Sequence, residues 1–290
     1  MKILLLGKTG QVGFELHRAL SPLGHIDAPG RTELDLMSAE GVSTYLTTTQ
    51  PNLIVNAAAW TGVDSAEEHR AESERLNADL PKQLAEYAAA NNVRLVHYSS
   101  DYVYPGNGTE PWRESSTTEP VNHYGMTKLK GDHAIEESRA DFLIFRVSWV
   151  YSARGNNFMK TMLRLAREKT ELNIVVDQIG APTPARLIAQ ITALGLHQNI
   201  TAGVYNLAPR GETNWHGFAQ EIFRLAQHRG EKLNMGPDNA HPIPTSAYPT
   251  PATRPLNSRL DISKLEQTLN ITLPDWQSQL EQTLDEYLEK

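Results

Sequence analysis

The sequence predicts an α/β fold built on a doubly wound parallel sheet, and three observations lead to this prediction. Short, continuously apolar runs recur along the first 150 residues, as expected of strands that are buried on both faces. Helix-like stretches separate these runs, and a glycine-rich turn follows the first of them. Strands that alternate with helices favour a parallel sheet with helices on both sides.

The elements of this first region follow one another in a regular order. In chain order they are a strand at 3–6, a helix at 12–20, a strand at 53–56, a helix at 78–92, a strand at 94–98, a helix that begins near Tyr124, and a strand at 143–148. The third strand ends in the sequence SSD, so polar side chains lie at its carboxyl end.

The second half of the chain has a different character. Its predicted elements are an amphipathic helix at 156–168, a strand at 172–176, a helix at 216–227, a proline-rich ordered coil or lid at 237–259, and closing helices at 261–269 and 276–288. No internal repeat or flexible linker separates the halves, and the length suits two domains. We therefore predict a sheet domain at 1–150 and a smaller α/β domain at 151–290, with segments between about 178 and 228 returning to the first.

Composition excludes several classes of function. A formal net charge of -7 argues against a general binder of nucleic acids or membrane surfaces, because both partners are polyanionic. The absence of cysteine excludes disulfides, thiolate catalysis and cysteine-ligated metals. The opening MKILLL is too short for a signal segment, and no apolar run approaches a membrane span, so we expect a cytoplasmic protein.

The glycine-rich turn GKTGQVG predicts a dinucleotide site. Gly7, Gly10 and Gly13 directly follow the first strand and open a helix. Glycines there allow a tight turn and let the backbone approach a pyrophosphate, which is held by backbone N–H groups at the helix N-terminus. Residues 1–150 are therefore predicted to be a Rossmann-type NAD(P)-binding domain, the alternative being a merely structural turn.

The segment APGRTELDL, which precedes the strand at 53–56 and lies where the second strand of a dinucleotide-binding fold usually ends, bears on the choice between NAD and NADP. The acidic residue that usually binds the adenosine ribose is missing from APGRTELDL, and Arg31 is present instead. A cation there can pair with the 2′-phosphate of NADP, which predicts NADPH, with NADH also usable. The alternative is an arginine that only faces solvent.

Tyr124 and Lys128 lie four residues apart in YGMTK, hence on one face of a helix. A nearby ammonium stabilises phenolate, so Lys128 is expected to lower the pKa of Tyr124 and suit it for proton transfer. Ser99 and Ser100, at the end of the third strand, could supply a hydroxyl that orients a carbonyl. The alternatives are a packed tyrosine, a lysine that reaches solvent and two turn serines. In combination with the glycine turn, the residues favour catalysis.

Several segments together identify a resemblance. GKTGQVG, NAAAWTGVD, SSDYV and YGMTK resemble the extended short-chain dehydrogenases/reductases. PGNGTEPW, RVSWVYSARGNNF, DQIGAPTPA, YPTPATRPLNSRLD and LPDW are similar to dTDP-4-dehydrorhamnose reductases in particular, over residues 1 to about 276. The resemblance implies reduction of the C4 keto group of a dTDP-6-deoxy-hexulose by NAD(P)H, giving dTDP-L-rhamnose, and makes residues 151–290 mainly a substrate-binding domain.

The resemblance also implies roles for individual residues. Tyr124 would be the proton donor, and Lys128 would hold the nicotinamide ribose and bias Tyr124. Ser100 would fill a hydroxyl position that is often threonine, and Asp101 would touch the sugar. The implied cofactor contacts are Gly10, Gln11 and Val12 at the pyrophosphate, Asp35 and Leu36 on the adenine side, and Ala59, Trp60 and Thr61 at the middle of the cofactor. The implied substrate contacts are Trp149, Asn157 and Arg254.

The sequence departs from its relatives at some positions. Trp60 stands where close relatives often have histidine. Some relatives form a magnesium-bridged dimer through acidic side chains; Glu15 is present, but Arg186 and Gln190 occupy the helix after GAPTPA. We therefore predict no metal. The sequence leaves the oligomeric state open, and a homodimer is one candidate.

Two rival functions remain at this point. A 4,6-dehydratase or 4-epimerase acting on sugar nucleotides would share the glycine turn, tyrosine and lysine. A dehydratase typically adds an acidic pair, whereas Asp101 is followed by Tyr102. Relatives also serve as non-catalytic regulatory subunits that bind NADP and a partner enzyme, although the retention of Tyr124, Lys128 and Ser100 favours catalysis.

Overall fold

The computed structural model describes residues 1–289. Its strands are β1 (Lys2–Leu6), β2 (His25–Asp27), β3 (Leu53–Asn56), β4 (Arg94–Ser100), β5 (Asp141–Val147), β6 (Val150–Tyr151), β7 (Leu172–Val175), β8 (Ile179–Gly180), β9 (Thr183–Pro184), β10 (Gly203–Leu207), β11 (Thr213–Asn214) and β12 (Ala240–Ile243). Its α-helices are α1 (Gln11–Ala19), α2 (Ala39–Thr49), α3 (Arg70–Glu74), α4 (Leu80–Asn91), α5 (His123–Glu137), α6 (Phe158–Glu168), α7 (Ala185–His197), α8 (Trp215–His228), α9 (Ser263–Leu269) and α10 (Trp276–Leu288).

A parallel sheet of six strands, in the order β10-β5-β4-β3-β1-β2, forms the centre of the molecule. The chain passes from β1 to β2 on one side and then to β3 on the other, so the strand order reverses beside β1. Ligands of open α/β sheets bind at such a reversal, outside the carboxyl ends of the strands. The glycine turn and the loop after β3 both lie there.

Both faces of the sheet are covered because its strands are apolar on both sides. Ile3 and Leu5 of β1 belong to one buried cluster, together with residues of α1, α7 and α9. Leu4 and Leu6 belong to a second cluster, together with residues of α2 and α4. Successive side chains of a strand point to opposite faces, so one run of leucines supplies both cores.

The second half of the chain has its own core. Apolar faces of α6, α8 and α10 form a third buried cluster that contains Phe218 and Trp276. β12 pairs in parallel with β7. Further along the proline-rich segment, the Asn257 side chain donates to the carbonyl oxygens of Asn107 and Glu110, 3.1 and 2.9 Å away. The segment is thereby joined to the sheet domain.

These observations confirm the predicted doubly wound sheet and the predicted strands and helices, within a few residues at their ends. Several elements were not predicted, among them the helix α2 and the strands β2, β10 and β12. Gly203–Leu207 forms β10 and pairs with β5 at the edge of the main sheet, and part of the coil predicted at 237–259 is the strand β12. The domain boundary at residue 150 stays a prediction. No helix among residues 1–289 is long and apolar enough to span a membrane.

Candidate active site

The glycine turn brings β1, β3 and α1 close together. Gly7 has a φ of +86°, and a Cβ atom added to it would lie 2.7 Å from the backbone of Ala57. A Cβ atom added to Gly13 would lie 2.0 Å from the carbonyl oxygen of Gly7. No side chain caps α1 at Gly10. The turn therefore requires glycine for close backbone packing and leaves the helix N-terminus open to an anion.

Gln11, in the first turn of α1, connects the glycine turn to the second half of the chain. Its Oε1 accepts a hydrogen bond of 2.8 Å from Nδ2 of Asn157. Asn157 also caps α6, accepting from the backbone N–H of Lys160, and donates to the carbonyl oxygen of Ser152 at 2.7 Å. The amide of Asn157 thus holds the junction between the two halves, where we expected a substrate contact.

The loop at Ala59, Trp60 and Thr61 is fixed by a residue that the sequence did not single out. Asn77 accepts from the backbone N–H of Trp60 at 2.9 Å and donates to the Trp60 carbonyl oxygen at 3.0 Å. It also donates to Oγ1 of Thr127, next to Lys128. Asn77 lies in a π-helical turn, a feature that is frequent at functional sites.

Tyr124 stands at the start of α5, beside the carboxyl end of β4. Asn122 caps the helix by accepting from the backbone N–H of Gly125 at 2.8 Å. The rings of Tyr124 and Tyr102 meet edge to face, with centroids 5.4 Å apart. Burial raises the pKa of Tyr124, and the nearby Ser100 hydroxyl acts in the opposite direction. Tyr124 is therefore a protonated hydroxyl at neutral pH.

Lys128 follows one turn later and is 1% exposed. Its Nζ donates to the carbonyl oxygen of Tyr98 at 2.6 Å. Burial lowers the pKa of Lys128 to about 8, although Asp132 acts in the opposite direction. Burial and the charges of Asp101 and Asp132 raise the pKa of Tyr124, and the lowering of this pKa by Lys128 stays a prediction.

A buried ion pair anchors α5 to the sheet. Oδ2 of Asp132 lies 3.0 Å from Nε of Arg146 on β5, and the two side chains are 0% and 4% exposed. Arg146 also donates to the Tyr104 hydroxyl at 3.0 Å. Removing one partner of such a pair leaves an uncompensated buried charge, which typically costs about 3–5 kcal/mol. The pair thus fixes the helix that bears Tyr124 and Lys128.

Ser100 and Asp101 complete the polar edge at the end of β4. The Ser100 hydroxyl donates to Oδ1 of Asp101 at 2.9 Å. Burial raises the pKa of Asp101 to about 6, partly offset by the hydroxyls of Ser258 and Ser100. Oδ2 of Asp101 and Oγ of Ser99 are buried without a hydrogen-bond partner among the described residues. Ser100, rather than Ser99, is the hydroxyl next to Tyr124.

Trp149 has an unusual backbone conformation just after β5. Its φ is +48°, in the left-handed region that a bulky side chain rarely adopts. Its ring stacks on Trp215, with centroids 3.8 Å apart and planes at 15°, and Trp215 packs on Phe158. Gln178 accepts from the indole N–H of Trp215 at 2.9 Å. Trp215 was not predicted as a site residue, since its stacking depends on the fold.

Arg254 reaches from the proline-rich segment to the loop that follows β3. Its guanidinium forms a 2.7 Å ion pair with Asp64 and donates to the carbonyl oxygen of Ala252 at 3.2 Å. Arg254 is also close enough to Tyr102 to act on the pKa of that hydroxyl, which burial raises and the cation lowers. Because Tyr102 contacts Tyr124, Arg254 lies near the predicted proton donor.

On the adenine side, Arg31 is exposed. Glu33 folds back over the same loop, accepting from the backbone N–H of Gly30 and lying 3.8 Å from Nζ of Lys8. The Asp35 carboxylate accepts from the backbone N–H of Met37 at 2.9 Å, and Leu36 is partly buried against the core. The expectation that no acidic residue ends the second strand is wrong, because Asp27 is the last residue of β2, and its carboxylate accepts from the Tyr45 hydroxyl at 2.8 Å.

The acidic residue Glu15 is 8% exposed, and burial raises its pKa. Nearby Arg186 of α7 forms an ion pair with Glu286 of α10. Within residues 1–289, no group of three or more His, Asp or Glu side chains is arranged to hold a metal ion. Where acidic side chains of some relatives are expected to bridge a metal, this chain has an ion pair between Arg186 and Glu286.

Comparison with known proteins decides the family. The model of the RmlD substrate binding domain matches residues 1–289. The dTDP-4-dehydrorhamnose reductase of Shigella flexneri is 47% identical over 294 residues, covering 99% of this chain and 98% of the relative. This chain belongs to the dTDP-4-dehydrorhamnose reductase family. The resemblance inferred from the sequence is thereby confirmed.

Solved structures of dTDP-4-dehydrorhamnose reductases have the same fold. The protein from Clostridium acetobutylicum has a TM-score of 0.92 and 32% identity, and each chain is covered completely. The protein from Bacillus anthracis, solved in complex with NADP, has a TM-score of 0.90 and 30% identity, covering 98% of this chain and 99% of that one. The fold is therefore that of the reductase family from one end of the chain to the other.

The predicted site residues fall into two groups in this family member. Tyr124, Lys128, Ser100 and Asp101 meet at the junction of β4 and α5, next to the loop held by Asn77. The predicted substrate residues Trp149, Asn157 and Arg254 approach from the second half of the chain, and each already has a protein partner.

Proposed function

We propose that this protein is an NADPH-dependent dTDP-4-dehydrorhamnose reductase. It reduces the C4 keto group of dTDP-4-dehydro-6-deoxy-L-mannose and forms dTDP-L-rhamnose. The observation that carries the proposal is the set of Ser100, Tyr124 and Lys128 at the end of β4, beside the glycine turn. The family match over residues 1–289 supports the same activity.

The glycine turn fits a dinucleotide. Gly7 and Gly13 leave no room for a Cβ atom, so the backbone can approach a pyrophosphate closely, and α1 points its N-terminus at it. Gln11 and Val12 would line this anion site, and the loop at Trp60 would border the middle of the cofactor. When bound, the nicotinamide supplies the hydride.

The protonation states suit reduction rather than oxidation. Hydride addition leaves a negative charge on the C4 oxygen of the sugar, which must then receive a proton. Burial raises the pKa of Tyr124, so its hydroxyl keeps its proton at neutral pH and can donate it to this oxygen. Ser100 would orient the same oxygen, and Asp101 would bind a neighbouring hydroxyl of the sugar.

NADPH is the proposed cofactor, and NADH can replace it in part. The relative from Bacillus anthracis was solved with NADP. Arg31 offers a cation to the 2′-phosphate, but it is exposed and the carboxylate of Glu33 lies on the same loop. Solvent screening and this carboxylate both weaken the attraction, so we expect a preference of only a few-fold.

The substrate would bind between the two halves of the chain. Trp149 offers an aromatic face to the sugar or nucleotide. Arg254 would hold the diphosphate by exchanging its bond to Asp64 for charge-assisted bonds to phosphate. Asn157 stays a prediction as a substrate contact. The cytoplasmic location and the homodimer also stay predictions.

An assay with the enzymatically generated dTDP-4-keto sugar tests the proposal. We expect NADPH oxidation that depends on this sugar and yields one dTDP-L-rhamnose per NADPH, whereas dTDP-glucose, which has no keto group, gives none. A 4-epimerase or 4,6-dehydratase would convert a sugar nucleotide without net NADPH oxidation. A regulatory subunit would bind NADPH without turnover, and either result would refute the proposal.

A further inference from the structure

A buried row of polar side chains lies behind Lys128. His97 of β4 is 0% exposed and stands between Asn56 of β3 and Lys128 of α5. Its Nδ1 lies 3.2 Å from Nδ2 of Asn56, and its Nε2 lies 3.4 Å from Nζ of Lys128. Because His97 is fully buried, these two neighbours determine which ring nitrogen carries its proton.

The orientation of Asn56 follows from the backbone. The N–H of Ala58 donates to Oδ1 of Asn56 at 3.2 Å. Turning the amide over would point its NH₂ group at this N–H, so the oxygen must face Ala58 and the nitrogen must face His97. Nδ2 of Asn56 can only donate. Nδ1 of His97 must therefore be an acceptor and carry no proton.

The protonation of His97 then follows. Burial, and to a smaller extent the charge of Lys128, lower the pKa of His97 well below its usual value, so the ring is neutral. A neutral imidazole carries one proton. Since Nδ1 is an acceptor, this proton is on Nε2, where it points at Lys128.

An N–H group that points at Nζ favours one protonation state of the lysine. An ammonium has three donors and no acceptor, so the N–H of His97 would oppose it. An uncharged amine has a lone pair that accepts this bond, and it can still donate to the carbonyl oxygen of Tyr98, 2.6 Å away. The 3.4 Å separation of Nε2 and Nζ is long for a hydrogen bond, as expected where two donors meet.

We propose that His97, oriented by Asn56, is a positioning residue that stabilises the uncharged form of Lys128 and so lets this lysine lose and regain a proton near neutral pH. Among the charged groups of the surrounding elements, Asp132 of α5 acts against His97, and its charge is shared with Arg146 of β5. Burial lowers the pKa of Lys128 to about 8, and the N–H of His97 would act in the same direction.

The consequence for turnover rests on the proposed function. Tyr124 gives its proton to the sugar oxygen and becomes a phenolate that must be protonated again. Lys128, one helical turn further along α5, would supply this proton when charged, and such transfers are most efficient when the donor titrates near the working pH. The backbone N–H of Ala58, which fixes the orientation of Asn56, lies next to Gly7. The loop that borders the cofactor thus sets the state of the lysine.

The tautomer of His97 can be observed directly by ¹⁵N NMR of the protein with labelled histidine, with and without NADP⁺. We expect a protonated Nε2 and an unprotonated Nδ1 throughout the neutral pH range. The signals are assigned by their loss in His97→Gln, and His133→Gln, which changes an exposed histidine of α5, is the matched control. A proton on Nδ1, or a charged ring, in the wild-type protein would overturn the proposal.

A second variant tests the effect on Lys128. In Asn56→Asp the carboxylate cannot donate, so Nδ1 of His97 must carry the proton and Nε2 must accept from the ammonium of Lys128. One hydrogen bond exchanged in this way shifts the titration of Lys128, followed by ¹⁵N NMR of its Nζ, upward by about one pH unit. The fall of kcat at alkaline pH should move by the same amount. An Nζ titration that stays in place, or one that moves equally in Asn56→Asp/His97→Gln, where only the new charge acts, would overturn the proposal. Absent turnover with the expected NMR result would refute only the reductase function.

Discussion

The two sides of the cleft are built differently. On the side of β4 and α5, Lys128 is 1% exposed and bonds to the backbone of the strand beneath it. On the opposite side, Arg254 depends on an ion pair with Asp64, 190 residues away in the chain, whose carboxylate is 42% exposed. The proposed catalytic groups are thus fixed by the core, while the proposed recognition groups are held by exchangeable bonds at the surface.

This difference predicts which kinetic constant each side controls. Groups that the core holds rigidly can act on the transition state without reorganisation, so their loss should lower kcat. Groups that exchange a protein partner for the substrate contribute to binding, so their loss should raise KM.

The largest expected effect is that of Tyr124→Phe. The ring remains, so the fold and NADPH binding survive, but the proton donor is lost and kcat falls by roughly a hundredfold to ten-thousandfold. The control is Tyr205→Phe, because its hydroxyl bonds to the Thr201 carbonyl oxygen, at 2.8 Å, and to the Thr268 side chain, at the edge of the sheet. More than half of the wild-type kcat in Tyr124→Phe would exclude it as the donor.

Lys128→Met should affect both kcat and the cofactor. Methionine fills a similar volume, but it removes the donor that would hold the nicotinamide ribose. Loss of a hydrogen bond to a charged group weakens binding by roughly 10- to 150-fold, so the Kd for NADPH, measured by fluorescence titration, should rise within this range. A lower kcat with an unchanged Kd would leave Lys128 only a role in proton transfer.

Arg254→Ala tests the exchangeable side. If the guanidinium holds the diphosphate, KM for the dTDP-sugar should rise by roughly tenfold or more, and KM for NADPH should stay within about twofold. Asp64→Asn is the matched variant, since it breaks the ion pair and keeps the arginine. Its KM should not rise, because a partly exposed pair contributes only about 0.2–1 kcal/mol. A lower melting temperature with unchanged KM in Arg254→Ala would make the pair a structural contact.

The smallest effect is expected at the adenine end, where both groups are exposed. Arg31→Ala should reduce the ratio of kcat/KM for NADPH over NADH by roughly two- to fivefold. Glu33→Gln should raise the same ratio, because it removes a negative charge near the 2′-phosphate. If neither variant changes the ratio, cofactor choice is determined elsewhere in the loop.

The side of the cleft formed by β4 and α5 could be predicted from the sequence. The apolar runs of β1, β3 and β4 determine their own burial, and the glycine turn follows β1 directly. Tyr124 and Lys128 are one helical turn apart, so local spacing alone put them on one face. The polar row behind them was not predicted, because His97 lies in an ordinary apolar strand and acquires its role only from β3 and α5.

The other side could be predicted only in part, because its contacts join distant residues. The stack of Trp149 on Trp215 and the bond between Gln11 and Asn157 have no local pattern. β10 was missed because its run GVYNL includes Asn206, a polar residue that is buried and bonded to the Trp112 carbonyl oxygen at 2.7 Å. Such pairs become visible only in the folded chain.

The most direct test of the account is to follow the hydride itself. The wild-type protein is supplied with NADPH that carries deuterium at the transferable position and with the dTDP-4-keto sugar, and the product is analysed by NMR. We expect dTDP-L-rhamnose with one deuterium at C4 of the sugar, and a large loss of this product in Tyr124→Phe. Conversion of the sugar without deuterium at C4, or an equal yield from Tyr124→Phe, would contradict it.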